Sequence, residues 1–149
     1  MQRTIRERGV RDQQWAVPAW VRLARVFHKL DHALVAQLRA HGLSLAQFDV
    51  LIQTGRHEGL TQQELADRLL VTKGNVCQLL DRMEDAGLLE RRQEGRANRL
   101  ALTDAGRRLY AEIVPEHEAE IARLLAPLAR DEQRQLAALL RKLDSALES

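Results

Sequence analysis

The chain is poor in cysteine, proline and aromatic side chains. Cys77 is the one cysteine among 149 residues, so neither a disulfide framework nor a four-ligand zinc cage with thiolates can be built from it. A reducing compartment is the natural setting. Aromatic residues make up 3% of the chain, while Leu, Ala and Arg dominate. That balance favours helices, because strands are enriched in aromatic and β-branched side chains. No apolar run approaches the roughly 18 residues of a membrane span, and the N-terminal stretch MQRTIRERGVRDQQWAVPAW lacks the apolar core of a secretory signal. The expected location is the cytoplasm, with no membrane contact. Net charge is only +2, too little to announce nucleic acid by itself, so the placement of the charges has to carry that question.

What is present is enough for a globular fold. The hydrophobic fraction is 45% and the charged fraction 30%, which separates the chain from disordered sequences. Its length suits one domain of ordinary size with a real core. Residues 1–17 are charged and aperiodic and read as a flexible N-terminal arm. A first helix is expected from about Pro18 to His41, with Trp20, Ala24, Phe27, Leu34 and Leu38 recurring at helical steps and Gly42 as its stop. Ser44 to Gln47 and Thr61 to Glu64 are capping boxes that open a second and a third helix. Thr72 caps a fourth, whose apolar face is Val76, Leu79, Leu80 and Met83 and whose end is Gly87.

The period then changes. Leu100 and Leu102 alternate with Ala101 and Thr103, and a two-stranded hairpin is expected with its tip near Glu94 to Ala97. Thr103 caps a long helix in which Pro115 should introduce a kink. A last helix covers about Asp131 to Leu147, with Leu136, Leu139, Leu140, Leu143 and Leu147 on one stripe. The expected organisation is a lobe over residues 43–103, flanked by helical segments over 18–42 and 104–149.

The third and fourth helices have the lengths and the short connection of a helix-turn-helix. An ordinary antiparallel helix pair would look the same, and the hairpin that follows shifts the balance toward a DNA-binding winged helix. The N-terminal half of the fourth helix is small and polar, with Thr72, Lys73, Gly74, Asn75, Cys77 and Gln78, which are side chains that can reach base edges or phosphates in a major groove. Its C-terminal half carries Asp81, Glu84 and Asp85, which would repel phosphates. Between residues 91 and 99 there are four arginines, Arg91, Arg92, Arg96 and Arg99, against one acid, Glu94. Such a basic tip invites an anion, and a narrow minor groove attracts arginine. Arg96, beside Gly95, is the leading candidate.

The strings LTQQELADRLLVTKGNVCQLLDRMEDAGLLERR and GRANRLALTDAGRRL resemble the multiple-antibiotic-resistance regulator (MarR) family, over about Leu43 to Leu143. The resemblance implies a mainly α, winged helix-turn-helix fold with a small β-wing, in a triangular homodimer joined by dimerisation helices, the first, fifth and sixth, over 18–42 and 104–149, with Leu34, Leu38, Leu124, Leu136 and Leu140 expected at the dimer contact. It implies recognition-helix roles for Thr72, Lys73, Gly74, Asn75, Cys77 and Gln78, and a phosphate contact for Arg82. In the wing, Glu94-Gly95-Arg96 matches an acidic-x-Arg motif, with Arg96 the minor-groove arginine and Glu94 steadying it; Arg92 and Arg99 flank it. Gly95 stands where a second arginine is common, and Cys77 where threonine is common.

The same resemblance implies a small aromatic or phenolic effector in a cleft between dimer part and lobe, with Trp20, His28, His32, Phe48, Arg56 and His57 as candidates by position. His28 and His32 have a metal-ligand spacing, but no carboxylate pair or third histidine is evident beside them, and no metal or other cofactor is expected. Cys77, near Lys73 at a helix start, is a candidate redox thiol; a small residue that fits the groove is the plainer reading. No Gly-rich phosphate loop, nucleophile elbow or histidine–carboxylate constellation occurs, so no enzyme is expected. The function expected is a ligand-responsive repressor, binding duplex DNA at a pseudo-palindromic promoter site as a homodimer. The alternatives are a winged-helix protein-interaction module and a thiol sensor acting through Cys77.

Overall fold

The computed structural model describes residues 13–69 and 76–148. Six helices and one hairpin follow in order among them: α1 (Ala16–Arg39), α2 (Leu45–Arg56), α3 (Gln62–Arg68), α4 (Val76–Asp85), β1 (Leu89–Glu94), β2 (Ala97–Leu102), α5 (Asp104–Leu125) and α6 (Arg130–Leu147). The mainly helical fold class with a small β-wing is the one expected. Most of the first 17 residues, and the expected cap Thr72, lie outside the described residues.

Local chemistry explains most element ends. α1 begins at Ala16 rather than Pro18, which puts the proline third in the helix, where its missing N–H has no intrahelical acceptor to lose. The helix closes with a Schellman pattern: Leu43 N–H donates to Leu38 O at 3.1 Å and Gly42 N–H to Arg39 O at 3.0 Å, with Gly42 at φ 71°. Ser44 and Thr61 each accept a bond from the backbone N–H three residues on, and Gln47 and Glu64 return it. Thr103 caps α5 by accepting from Gly106 N–H at 3.1 Å. α5 runs unbroken through Pro115.

The hairpin pairs Leu89 with Leu102 through to Glu94 with Ala97, leaving Gly95 and Arg96 as a two-residue turn. Gly95 alone takes a positive φ, 63°, as a II′-type turn requires of its first central residue. The segment before α3 joins the sheet: Leu100 N–H donates to Leu60 O at 2.8 Å, and Leu100 O accepts from Gly59 N–H at 3.2 Å.

The core gathers Leu38, Val50, Leu51, Leu65, Leu80, Met83, Leu89, Leu100 and Ile113, so every described element but α6 contributes. Leu38 was expected at the dimer contact. It is fully buried within its own chain, because the turn at Gly42 folds α2 back over the end of α1. Gly106 packs so closely that a Cβ there would lie 2.0 Å from the Leu88 carbonyl oxygen, which is why the first turn of α5 can lie against the root of the wing. α6 buries none of its residues. It is tied to the end of α5 by Gln133 Nε2, which donates to Leu125 O and Leu128 O at 3.1 and 3.0 Å. No helix among the described residues is long and apolar enough to cross a membrane.

Candidate nucleic-acid interface

The core decides which face of α4 remains outside. Leu80 and Met83 are buried, which turns Cys77, Gln78, Asp81, Arg82 and Asp85 outward, all exposed. Gln62 Nε2 donates to Cys77 Sγ at 2.7 Å, so the thiol sits against the first turn of α3. Thr72, Lys73, Gly74 and Asn75 lie outside the described residues.

Glu90, Arg92, Glu94 and Arg99 share one face of the wing. The pairing register sets Arg92 directly opposite Arg99, a like-charge pair that would be unfavourable alone. Each arginine has a carboxylate of its own: Arg92 Nη2 is 2.5 Å from Glu90 Oε1, and Arg99 Nε is 2.5 Å from Glu94 Oε2. Arg99 also donates to Gly59 O at 2.9 Å, anchoring the wing to the loop before α3. Glu94 therefore steadies Arg99 and not Arg96 as expected, because the hairpin register brings residue 99, not the turn residue, alongside it. Arg96 is exposed at the tip, and no hydrogen bond or ion pair engages it among the described residues.

A model of the MarR family matches residues 41–99, which run from the turn after α1 through most of the wing. An HTH-type transcriptional regulator of Bacillus cereus is 31% identical over 135 residues, covering 90% of this chain and 92% of its own length. The HTH-type transcriptional repressor MdtR of Bacillus subtilis is 30% identical over 130 residues, 85% of this chain and 84% of its own. The solved complex of S. aureus MepR with DNA superposes at TM-score 0.74 and 26% identity, over 84% of this chain and 94% of that one. The chain belongs to the MarR family. Its relatives are transcriptional regulators and not enzymes.

Within this MarR-family chain, Arg91 does something that composition could not show. Its guanidinium turns back onto α4, where it bonds Glu84 Oε2 at 2.6 Å and also Asp81, while its backbone N–H donates to Glu84 Oε1 at 3.0 Å. The Glu84 bond and then the Asp81 bond push the Arg91 pKa above the ordinary arginine value, and Arg91 in turn holds the Glu84 carboxyl below the usual carboxylate range. The acids expected to repel phosphate are thus partly neutralised, and the wing root is locked to the helix beside it. Of the four basic residues counted in the wing, Arg91 belongs to this clamp and is not available to a ligand.

The clamp predicts a pH-dependent stability. Arg91→Met should lower unfolding free energy by about 1–2 kcal/mol at neutral pH, a modest value because the freed carboxylates are partly exposed and regain hydration. The unfolded chain binds more protons than the folded one between the depressed folded pKa of Glu84 and the ordinary glutamate value of about 4.3. The difference between wild type and variant should therefore be full above that ordinary value and shrink as pH falls toward the folded one. Urea titrations across acid pH measure it, and a pH-independent difference would contradict the clamp.

The effector candidates are not brought together within one chain. Trp20, His28 and His32 lie on the exposed flank of α1. Phe48 is buried, its ring 4.3 Å from that of His117. Arg56 and His57 sit exposed at the end of α2, with His57 Nε2 3.3 Å from Arg68. A small cavity of about 120 Å³ opens instead between α2, β2 and α5, lined by Thr54, Gly55, Glu58, Leu102, Arg107 and Tyr110. That is well below the roughly 300 Å³ at which drug-sized ligand pockets begin.

The structure also gathers a group that the sequence reading missed. His41 meets Glu112 and Glu116 of α5. The readable signal was the one-turn spacing of the two glutamates; nothing local in the sequence pointed to His41 as their partner.

Proposed function

We propose that this MarR-family chain is a DNA-binding repressor that works as a homodimer. The observation that carries the reading is Arg96, an arginine at the wing tip with no partner among the described residues, in a wing whose other arginines are each held by carboxylates. Cys77, Gln78 and Arg82, with Thr72, Lys73, Gly74 and Asn75 ahead of them, would face a major groove, and Arg96 the adjoining minor groove. Arg92 and Arg99, paired as they are, would set the wing's shape and line the phosphates. The DNA complex of MepR and the repressor description of MdtR support this assignment by likeness.

The homodimer rests on exposed apolar surface. On α1, Trp20 and Phe27 are each 66% exposed, and on α6 Leu139 is 60% and Leu143 50% exposed. A helix with an uncovered leucine stripe has little to hold it in water, and a second copy supplies the cover. Two α4 helices would then reach successive major grooves about 34 Å apart on a pseudo-palindromic site. Leu139→Glu is expected to shift the protein toward monomer in light scattering and to abolish cooperative DNA binding; an intact dimer would remove α6 from the interface.

Repression would follow from occlusion of a promoter in the cytoplasm. A small aromatic or phenolic effector between dimer part and lobe, near Trp20, His28, His32, Phe48, Arg56 and His57, would act by changing the spacing of the two lobes. The deciding experiment is selection from random duplex DNA, followed by titration of the selected sequence at two salt concentrations. An enriched inverted repeat whose affinity falls steeply with salt, by about −0.9 in log–log slope per neutralised phosphate, is the expected result. A folded dimer that enriches nothing would point to a protein-interaction module.

A further inference from the structure

His41, just past the end of α1, and Glu112 and Glu116, one turn apart on α5, come from opposite ends of the sequence to one place. His41 Nε2 is 2.6 Å from Glu116 Oε2, and Nδ1 is 3.9 Å from Glu112 Oε1. One ligand atom from each residue lies within 4.8 Å of the others. The imidazole is only 16% exposed, while the carboxylates face outward at 64% and 52%, so the cluster is rooted in the protein and open on one side.

We propose that His41, Glu112 and Glu116 form a binding site for a divalent first-row transition cation such as zinc. One imidazole nitrogen and two carboxylate oxygens make a mixed N/O set of the kind such ions take, with water completing the shell. Two carboxylates at i, i+4 on a helix repel each other, and an ion of opposite charge between them removes that repulsion.

The position gives the cation leverage. His41 sits in the turn between α1, in the dimer part, and α2, which opens the lobe. Ligation from α5 pins that turn. The regulatory consequence, that occupancy holds the lobe at one angle, rests on the DNA-binding reading above; the site itself does not.

The test uses the full chain, free of tags and stripped with chelator, and no DNA. Titration with Co²⁺ should give one saturable equivalent per chain with visible d–d absorption, displaced by Zn²⁺. His41→Gln and Glu116→Gln should each weaken binding by at least about tenfold, the smallest loss seen even for outer-shell partners, with unchanged far-UV dichroism. In the unmutated protein, substoichiometric Mn²⁺ should broaden the His41 imidazole resonances before those of His28, His32 and His57. Non-saturating uptake, variants that bind as tightly as wild type, or uniform broadening would each overturn the site. Co²⁺ binding in a protein that ignores DNA would leave the site standing and remove the repressor reading instead.

Discussion

Arg96→Ala is expected to weaken binding to the selected DNA by roughly ten- to a hundredfold, the scale of about 1–3 kcal/mol for losing one well-placed arginine contact. The reason lies in the pairing of its neighbours. Arg91 is committed to Glu84 and Asp81, Arg92 to Glu90, and Arg99 to Glu94 and the Gly59 carbonyl. Of the four wing arginines, Arg96 in the turn would meet DNA without first breaking an ion pair among the described residues. Arg92→Ala should accordingly cost less, because its charge is already offset in the free protein. Fluorescence anisotropy of both variants at two salt concentrations measures the difference, with light scattering to check that the oligomeric state is that of the wild type. Equal losses would mean that the carboxylate pairs open on binding, and unchanged affinity for Arg96→Ala would sink the wing assignment.

Leu100→Ala is expected to destabilise the fold by about 3 kcal/mol, inside the range of about 2–5 for leucine truncation in a core. Leu100 is fully buried at the place where the wing meets the rest of the lobe. Its backbone N–H donates to Leu60 O and its carbonyl accepts from Gly59 N–H, so the strand cannot move inward to fill the space, and most of the cavity should persist. Urea unfolding should show a lower midpoint with an unchanged slope. A loss below about 1 kcal/mol would mean that the site collapses despite those bonds.

Both predictions turn on how the wing is held, and the sequence foresaw only part of that. The hairpin was readable because Gly95 marks the turn and Leu100 and Leu102 mark the inner face. The count of four arginines against one acid did not show how those charges pair. It treated charges within the hairpin as a closed set, whereas Arg91 takes its partners from α4, ten and seven residues earlier. Assigning Glu94 to Arg96 failed for a related reason: nearness along the chain is not nearness across an antiparallel pair, where residue 94 faces the side of residue 99.

The expected dimer contact shows the same division. A leucine stripe on the last helix was legible from its spacing, and those leucines are indeed uncovered in the single chain. Leu38 has the same spacing credentials on α1 yet belongs to the chain's own core. Periodicity says that a face is apolar and does not say what covers it.

What the sequence determined by itself, then, is whatever depends on groups within one turn of each other: the caps at Ser44, Thr61 and Thr103, the stops at Gly42 and Gly87, the hairpin turn at Gly95, and through their order the winged-helix succession. What only the tertiary structure decided is which distant side chains meet: Arg91 with Glu84 and Asp81, Arg99 with Glu94 and the Gly59 carbonyl, His41 with Glu112 and Glu116. Local bonds are set by backbone geometry over three or four residues, so a pattern of residue types suffices to read them. Long-range pairs depend on the packing of whole elements and on where each side chain points once the core has closed, and one-dimensional spacing carries neither.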